Sequence, residues 1–314
     1  MRVGIDIMGG DYYPQAPVGG VILAKSVLKK EVELVLIGQE DVIKTELQKQ
    51  GANPADFVIQ HSPEIIAMDE HPAKSITTKQ NSSINIGIGM VKKGNLDAFL
   101  SAGNTGAMLV GSVLGLGTIE GVLRPTIGSW FPSRDKFSLL CDVGANIEVK
   151  PEQLYQFGVL GSTYIRLMLG IENPRVALMN LGEEKTKGTP VVQQAYALFE
   201  QNKHKINFVG NAEGRHINDF KADVYVTDGF TGNILLKFGE SLYNLFKPKL
   251  PNDPDIDLYN FEHFGGVPIL GVNGNIMIGH GICGAKAFEK MICEMVKIVK
   301  LGLKEEIKRV LSEK

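Results

Sequence analysis

The sequence predicts an α/β protein with three layers, α/β/α, in which helices cover both faces of a largely parallel sheet. Short runs rich in β-branched residues alternate with longer helical patterns from one end of the chain to the other, which is typical of successive βα units. The strand-like runs are apolar at successive positions. Both faces of the sheet should therefore be buried under helices.

The spacing of apolar residues places the individual elements. Strands are predicted at residues 3–7, 34–37, 98–100, 138–143, 176–179, 206–209, 224–226 and 276–278. Helices are predicted at residues 18–28, 108–116, 153–168, 191–199 and 233–246. We expect the last of these helices to pack through its apolar residues, which are Ile234, Leu235, Phe238, Leu242 and Leu245.

The final part of the chain is predicted as one amphipathic helix over residues 287–311. Its apolar stripe is expected to pack in the core, and a helix lying on a membrane surface is the alternative. Before it, residues 247–266 contain three prolines and several acidic residues, which forbid a continuous helix. We interpret this stretch as an irregular excursion within a single domain spanning residues 1–314.

Composition and charge exclude several classes of protein. The chain has 33 basic and 35 acidic residues, so its net charge of -2 favours neither nucleic acid nor an anionic membrane. The 3 cysteines have no CxxC spacing, which argues against a disulfide framework and a zinc site. The N-terminal stretch lacks the apolar core of a signal peptide. We expect a cytoplasmic protein, with peripheral contact at the inner face of the membrane as the alternative.

Polar turns containing glycine follow four of the predicted strands, at residues 101–107, 144–146, 180–190 and 227–233. Ligands bind open parallel sheets at this position because backbone N–H groups and helix dipoles converge there. Small uncharged donors in several such turns favour an anion site. The alternative for each turn is a local role, since glycine permits positive φ and Ser, Thr, Asn and Asp cap helices.

Common catalytic and nucleotide-binding motifs do not occur. No GxGxxG follows the first strand, and GxxxxGK[ST], GxSxG and HExxH do not appear. The 6 histidines are dispersed, and His280, which follows a predicted strand, is the best placed of them for a site. Neither a dinucleotide nor a triphosphate cradle is therefore predicted.

Several motifs taken in order resemble one family. The blocks are DIMGGDYYP, SAGNTGA, LRP, DVGANIEVKPEQLYQFGVLGS, LGEEKTKG, FVGNAEGRHI, DVYVTDGFTGNILLK and HG. They resemble the PlsX family, the acyl carrier protein:phosphate acyltransferases of bacterial phospholipid synthesis, from about residue 1 to about residue 291.

The resemblance implies a reaction and a setting for it. Inorganic phosphate attacks the thioester of a long-chain acyl carrier protein, giving an acyl phosphate and the free carrier. It also implies a homodimer with an isocitrate dehydrogenase-like and phosphotransacetylase-like fold, without a metal or other cofactor. A downstream glycerol-phosphate acyltransferase is a further partner that it suggests.

The sequence departs from the family pattern at two places, and each departure affects which family property can be expected of this chain. Tyr12 stands where the family's opening block has a histidine, so no catalytic role is predicted for that position. The excursion at residues 247–266 is shorter than in the family and is broken by prolines. Because the family's longer excursion is credited with membrane contact, that contact is in doubt here.

The implied chemistry needs little from the protein, because phosphate is already an anion and a thiolate is a good leaving group. The protein must hold phosphate beside the carbonyl and stabilise the oxyanion. We expect phosphate to bind at a helix N-terminus through the backbone and side chains of Ser101, Gly103, Asn104, Thr105 and Gly106.

Lys187 would offset the charge of the phosphate or of the tetrahedral intermediate, with Lys185 as its competitor. Asn233 would donate a hydrogen bond to the oxyanion, and it is open whether its amide faces phosphate, the thioester oxygen or only its own helix. Gly229 and Gly232 would let the backbone approach the ligand. Asp228 is expected as an orienting acceptor or a helix cap.

Asn146 and His280 complete the predicted site as residues on its rim. Basic residues, Arg215 and Lys221 among them, are candidates for contact with the acidic carrier protein. Two rival functions remain at this point. A dehydrogenase of the same fold would need a nicotinamide site, and a scaffold for lipid-synthesis partners would bind them without cleaving a thioester.

Overall fold

A computed structural model of the chain describes residues 1–133 and 136–312. The strands are β1 Arg2–Asp6, β2 Glu33–Gly38, β3 Val58–His61, β4 Ala98–Ser101, β5 Thr126–Ser133, β6 Lys136–Cys141, β7 Arg175–Met179, β8 Asn207–Ala212, β9 Val224–Val226, β10 Gly266–Leu270 and β11 Asn275–Gly279. The helices are α1 Gln15–Val27, α2 Glu40–Lys49, α3 Pro72–Thr78, α4 Ser83–Lys92, α5 Thr105–Leu116, α6 Pro151–Leu169, α7 Pro190–Gln201, α8 Gly229–Phe246, α9 Pro254–Asp257, α10 Ala285–Leu301 and α11 Leu303–Ser312.

The chain divides into two compact units. Unit 1 contains Met1–Ile119 and Phe261–Lys304, and unit 2 contains Glu120–Asn260 and Glu305–Lys314. Each unit has its own hydrogen-bonded set of strands and its own helices. The single domain over residues 1–314 stays a prediction beside this division.

Unit 1 is built on strands in the order β3-β2-β1-β4-β11-β10. Neighbouring strands are parallel except for β10, which runs antiparallel to β11. Phe99 and Leu100 are successive residues of β4 that point to opposite faces, and both are fully buried. Helices therefore cover both faces of this sheet, with α1 packed against α10 and α4 packed against α5.

Unit 2 is built on strands in the order β5-β6-β9-β7-β8, in which β5 is antiparallel to β6. Strands β6, β9 and β7 are parallel, and Val226 at the end of β9 pairs with Cys141 at the end of β6 and with Leu178 in β7. The turns after these three strands thus leave the same edge of the sheet. These turns carry the unit 2 residues that the sequence predicts for the site.

The prediction that α8 packs through its apolar residues is wrong for three of the five, whereas Leu235 and Leu242 are half-buried. Ile234, Phe238 and Leu245 are 53%, 62% and 52% exposed. The buried residues of α8, which the structure describes along its whole length, are glycines: Gly229, Gly232 and Gly239. Glycine lets the helix axis lie close to its neighbours, so α8 packs on β5 and β6 through its glycine face and leaves its apolar face outward.

The C-terminal stripe is buried as predicted, but the single helix is not observed. Gly302 adopts a left-handed conformation with φ of 66° and ends α10 before α11 begins. Phe288, Met291 and Ile307 are nevertheless buried, which confirms the core role of the stripe. The excursion at residues 247–266 contains the short helix α9 and one 3₁₀ turn, Phe261–His263, and its last residue is the first of β10.

The remaining predicted elements match the structure to within a few residues, and the α/β class is confirmed. Three strands have no counterpart in the prediction, namely β3, β5 and β10. Among residues 1–133 and 136–312, no helix combines the length and apolar character needed to cross a bilayer.

Candidate functional site

In unit 1 the candidate site is built around the N-terminus of α5. Asn104 caps this helix, because its side-chain oxygen accepts the Ala107 N–H at 2.9 Å. The other end of the same amide donates to the backbone oxygens of Ala67, Met68 and Glu70 at 3.0–3.2 Å. The Asn104 side chain is 5% exposed and bonded at both ends. It holds the turn in place and has no free donor to offer phosphate.

Ser101 also serves the interior of the turn. Its hydroxyl donates to Asp6 Oδ2 at 2.7 Å and accepts the Gly103 N–H at 2.9 Å. Ser101 is fully buried, and Asp6 is 1% exposed. Burial raises the pKa of the Asp6 carboxyl, and hydrogen bonds from Ser101, Ser83 and the Met8 N–H partly oppose that rise.

The turns that follow β1, β4 and β11 lie together. A Cβ built at Gly9 would lie 2.7 Å from the Gly103 nitrogen, so only glycine allows these two turns to approach so closely. The Asp11 N–H donates to the Gly281 oxygen at 2.7 Å. His280 directly precedes Gly281 and is half-buried. The sequence therefore predicted correctly that His280 belongs to a turn at the end of a strand, but its contact with a ligand stays a prediction.

Two donors of this turn are left for a ligand. Thr105 is exposed and Gly106 is half-buried, and they occupy the first two positions of α5. Within residues 1–133 and 136–312 their backbone N–H groups have no hydrogen-bond partner. A Cβ at Gly106 would overlap the ring of Pro72, so this glycine is required by packing against α3. The open part of the α5 N-terminus is therefore the backbone at Thr105 and Gly106.

In unit 2 the turn after β6 is organised by Asp142, a residue that sequence reasoning missed. Asp142 is fully buried, and Asn146 is 4% exposed. The Asn146 side chain donates to Asp142 Oδ2 at 3.0 Å and to the Pro125 oxygen at 2.8 Å. The Asn146 side-chain NH2 is therefore used inside the turn, and a contact of this residue with a ligand stays a prediction. A carboxylate at the end of an apolar strand was the available signal for both Asp6 and Asp142.

The start of α8 is placed against this turn. Asp228 caps the helix by accepting the Thr231 N–H at 2.8 Å and the Thr231 hydroxyl at 2.9 Å. The Gly229 N–H donates to the Asn146 oxygen at 2.7 Å. A Cβ at Gly232 would overlap the Asp142 backbone oxygen. The structure therefore gives Asp228 the capping role, and both glycines are required by close packing.

Asn233 is exposed on the first turn of α8. Its side-chain NH2 donates to the Val143 oxygen at 3.3 Å, which uses one of the two N–H donors of the amide. Gly144 lies directly beneath this amide, since a Cβ there would be 3.2 Å from Asn233 Nδ2. Among the residues that the structure describes, the second N–H donor and the amide oxygen of Asn233 have no hydrogen-bond partner.

Lys187 and Lys185 are both exposed on the turn after β7. The backbone at Lys187 is held, because its N–H donates to the Glu184 oxygen at 3.0 Å and its carbonyl accepts from Asn180 Nδ2 at 3.1 Å. Its stem also lies over Gly182, where a Cβ would be 3.0 Å from Lys187 Cγ. In the part of the chain that the structure describes, no acidic side chain forms an ion pair with Lys187. The backbone and the first part of the Lys187 side chain are therefore held in place, and its ammonium group is left without an ion pair among the described residues.

The three cysteines are poor nucleophiles in this fold. Burial raises the pKa of the Cys283 thiol to about 12 and the pKa of the Cys141 thiol well above its usual range. Burial also raises the pKa of Cys293. Because a thiolate is the reactive form, none of these groups is suited to accept an acyl group at neutral pH.

The predicted residues form two groups. Ser101, Gly103, Asn104, Thr105, Gly106 and His280 belong to unit 1, whereas Asn146, Lys187, Asp228, Gly229, Gly232 and Asn233 belong to unit 2. Within each unit the turns that carry them leave the sheet where parallel strands end. Their roles toward a substrate stay predictions.

The fold places the chain in a known structural class. A phosphotransacetylase from Streptococcus pyogenes superimposes with a TM-score of 0.65 at 16% identity, covering 97% of this chain and 94% of that one. The EutD phosphotransacetylase from Staphylococcus aureus gives a TM-score of 0.62 at 15% identity, with coverage of 96% and 94%. At such low identity these likenesses show the fold alone, and they confirm the phosphotransacetylase-like architecture.

Sequence similarity is more specific. Residues 1–251 match the family described as "Fatty acid synthesis protein". A phosphate acyltransferase from Desulfitobacterium hafniense is 40% identical over an alignment of 331 residues, covering 99% of this chain and 98% of the relative. Another from Syntrophomonas wolfei is 41% identical over 288 residues, with coverage of 90% and 89%. The chain belongs to this family, which confirms the resemblance found in its motifs.

Proposed function

We propose that the protein transfers a long-chain fatty acyl group from acyl carrier protein to inorganic phosphate, giving an acyl phosphate for phospholipid synthesis. Membership of a family of phosphate acyltransferases over nearly the whole chain carries this proposal. The phosphotransacetylase-like fold is consistent with it, since ligands bind open α/β sheets at the carboxyl ends of parallel strands.

The phosphate acceptor is proposed to bind at the N-terminus of α5. The unpaired N–H groups of Thr105 and Gly106 would donate to its oxygens, and the helix dipole would favour its charge. Ser101, Gly103 and Asn104 would act indirectly, because their hydrogen bonds shape this turn. This assignment replaces the direct side-chain contacts that the sequence suggested.

Attack on the thioester would proceed without an enzyme-bound acyl group. A phosphate oxygen forms a bond to the thioester carbon, and the carbon–sulfur bond then breaks to release the carrier as a thiolate. The raised pKa values of the three thiols disfavour a cysteine intermediate. Asn233 would donate to the oxyanion and Lys187 would offset the accumulated negative charge, and neither residue needs to transfer a proton.

We further propose a homodimer, supported by the outward apolar face of α8. Phe230, Ile234, Phe238 and Leu245 are each more than half exposed. The charged residues of α8 are Lys237 and Glu240, which pair with each other at 2.8 Å. An anionic membrane or an acidic carrier protein would be recognised by unpaired basic residues. A neutral apolar face fits a second copy of the same helix better.

One experiment tests the proposed reaction directly. Purified protein is mixed with inorganic phosphate and a long-chain acyl carrier protein, and acyl phosphate and free carrier are measured. We expect both products to form together and only when phosphate is present. The same acyl chain on coenzyme A serves as the comparison donor. Thioester cleavage that does not depend on phosphate, or no cleavage with either donor, would remove the proposal.

A further inference from the structure

Asp142 has an unusual set of partners for a residue that touches no solvent. Its Oδ1 atom accepts N–H groups of Ile127 at 3.0 Å, Val143 at 2.8 Å and Ala145 at 3.3 Å. Its Oδ2 atom accepts the backbone N–H of Asn146 at 2.6 Å and the side-chain NH2 of the same residue. One carboxylate thus determines the path of residues 142–146.

The first turn of α8 rests on the turn that Asp142 organises. The Asn146 oxygen accepts the Gly229 N–H, and the Val143 oxygen accepts the Asn233 amide. Gly232 packs onto the Asp142 backbone oxygen without room for a side chain. The side chain of Asn233 therefore lies over Val143 and Gly144, in the turn whose N–H groups at Val143, Ala145 and Asn146 donate to the Asp142 carboxylate.

We propose that Asp142 is a positioning residue for the acyl transfer: by fixing residues 142–146 it sets where the Asn233 amide points. This inference rests on the proposed function, because it assigns Asp142 a role through Asn233. Asp142 itself contacts neither substrate nor reacting atoms. Its effect on the reaction is therefore confined to the step that Asn233 serves, the stabilisation of the oxyanion.

A double-mutant cycle between Asp142→Asn and Asn233→Ala tests this coupling. The new amide keeps the shape of residue 142 but turns one acceptor into a donor that faces N–H groups. We expect each single variant to lose about tenfold or more in kcat, with the KM for phosphate changed by less than about twofold. The double variant should be no more than about twofold slower than the slower single variant, because both remove the same interaction.

Asp223→Asn is the matched control. Asp223 is also buried in unit 2, at 5% exposure, but it precedes β9 and pairs with Arg175 at 3.1 Å, at the other end of the strand from α8. Its substitution should lower the melting temperature and leave kcat within about twofold. In the Asp223→Asn background, Asn233→Ala should keep its full tenfold effect.

Gly144→Ala provides a second variant in case Asp142→Asn does not fold. Gly144 is exposed and has φ of 126°, so alanine there strains the turn and crowds the Asn233 amide. It should reproduce the loss of kcat and the lack of additivity with Asn233→Ala. Additive effects, or near-normal kcat in the folded Asp142→Asn protein, would overturn the inference. If Asn233→Ala alone leaves kcat unchanged, the role proposed for Asn233 fails instead.

Discussion

Asp6 in unit 1 and Asp142 in unit 2 are buried aspartates that play the same structural role, since each accepts hydrogen bonds that shape a turn. Asp6 ends β1 and holds the Ser101 hydroxyl and the Met8 N–H, whereas Asp142 follows β6 and holds the N–H groups of its own turn. Burial raises the pKa of both carboxyls, and the donated hydrogen bonds offset part of that cost. In each unit a buried carboxylate accepts hydrogen bonds from donors of the nearby turn. Only the remaining donors of that turn are then available to a ligand.

Lys187 and Lys185 provide a test at the level of one residue. We expect Lys187→Ala to lower kcat about tenfold or more, because a cation that offsets developing negative charge, as proposed for Lys187, acts mainly in the transition state. Lys185→Ala changes the same charge on the same turn and should leave kcat within about twofold. The measurement is steady-state acyl phosphate formation, with circular dichroism to check folding. Equal losses in the two variants would mean that the turn supplies only general positive charge.

The candidate site could be predicted only in part from the sequence. The turns at residues 101–107 and 227–233 were correctly placed after strands, because glycine and small polar residues mark such turns locally. Whether each donor is free or already hydrogen-bonded within the protein could not be predicted in the same way. Asn104 loses its free amide to residues 67–70, and Ser101 loses its hydroxyl to Asp6, which lies 95 positions away. Such partners are set by tertiary contacts that no local pattern contains.

At the level of strands and helices, elements marked by a local sequence pattern could be predicted, whereas features that depend on tertiary packing could not. Elements with a clear apolar period, such as α6 and β4, were predicted to within a few residues. Strand β5 contains Gly128 and Pro132, and β10 contains Pro268. Because glycine and proline are unfavourable inside strands, the local sequence does not predict a strand at either place. The face of α8 was misassigned because apolar residues usually mark the buried side of a helix, and here glycines do.

The packing of α8 can be tested by enlarging its buried face. Gly232→Ala adds a Cβ where the Asp142 backbone oxygen lies, and that backbone cannot yield like a flexible side chain. We expect the free energy of unfolding to fall by about 1–3 kcal/mol, with a larger loss if the helix start is displaced. The measurement is chemical denaturation of the purified variant.

Gly89→Ala is the control for this substitution. Gly89 lies within α4, and a Cβ there would meet nothing within 4 Å. Alanine should stabilise that helix by about 0.5–1 kcal/mol. If the Gly232→Ala and Gly89→Ala variants have the same free energy of unfolding, the close packing of Gly232 against the backbone of Asp142 is wrong.

At the scale of the whole molecule, the outward face of α8 predicts self-association. Phe238→Glu places a charge in the centre of the apolar face and should shift the protein from dimer to monomer, since an unpaired charge is costly to bury. Analytical ultracentrifugation over a range of concentrations measures the change. Leu114→Glu is the control, because Leu114 is 65% exposed on α5 and lies outside this face. A wild-type protein that stays monomeric at all concentrations would contradict the proposed dimer.

The glycine face of α8 also affects how firmly this helix is held. Helix α6 buries ten residues, including Phe157 and Tyr164, whereas α8 buries only three glycines. In an isolated chain, the amide hydrogens along the second half of α8 should therefore exchange with solvent through openings of lower free energy than those that expose α6. Any partner that covers the apolar face would close those openings. Association would then protect the same helix whose first turn presents Asn233.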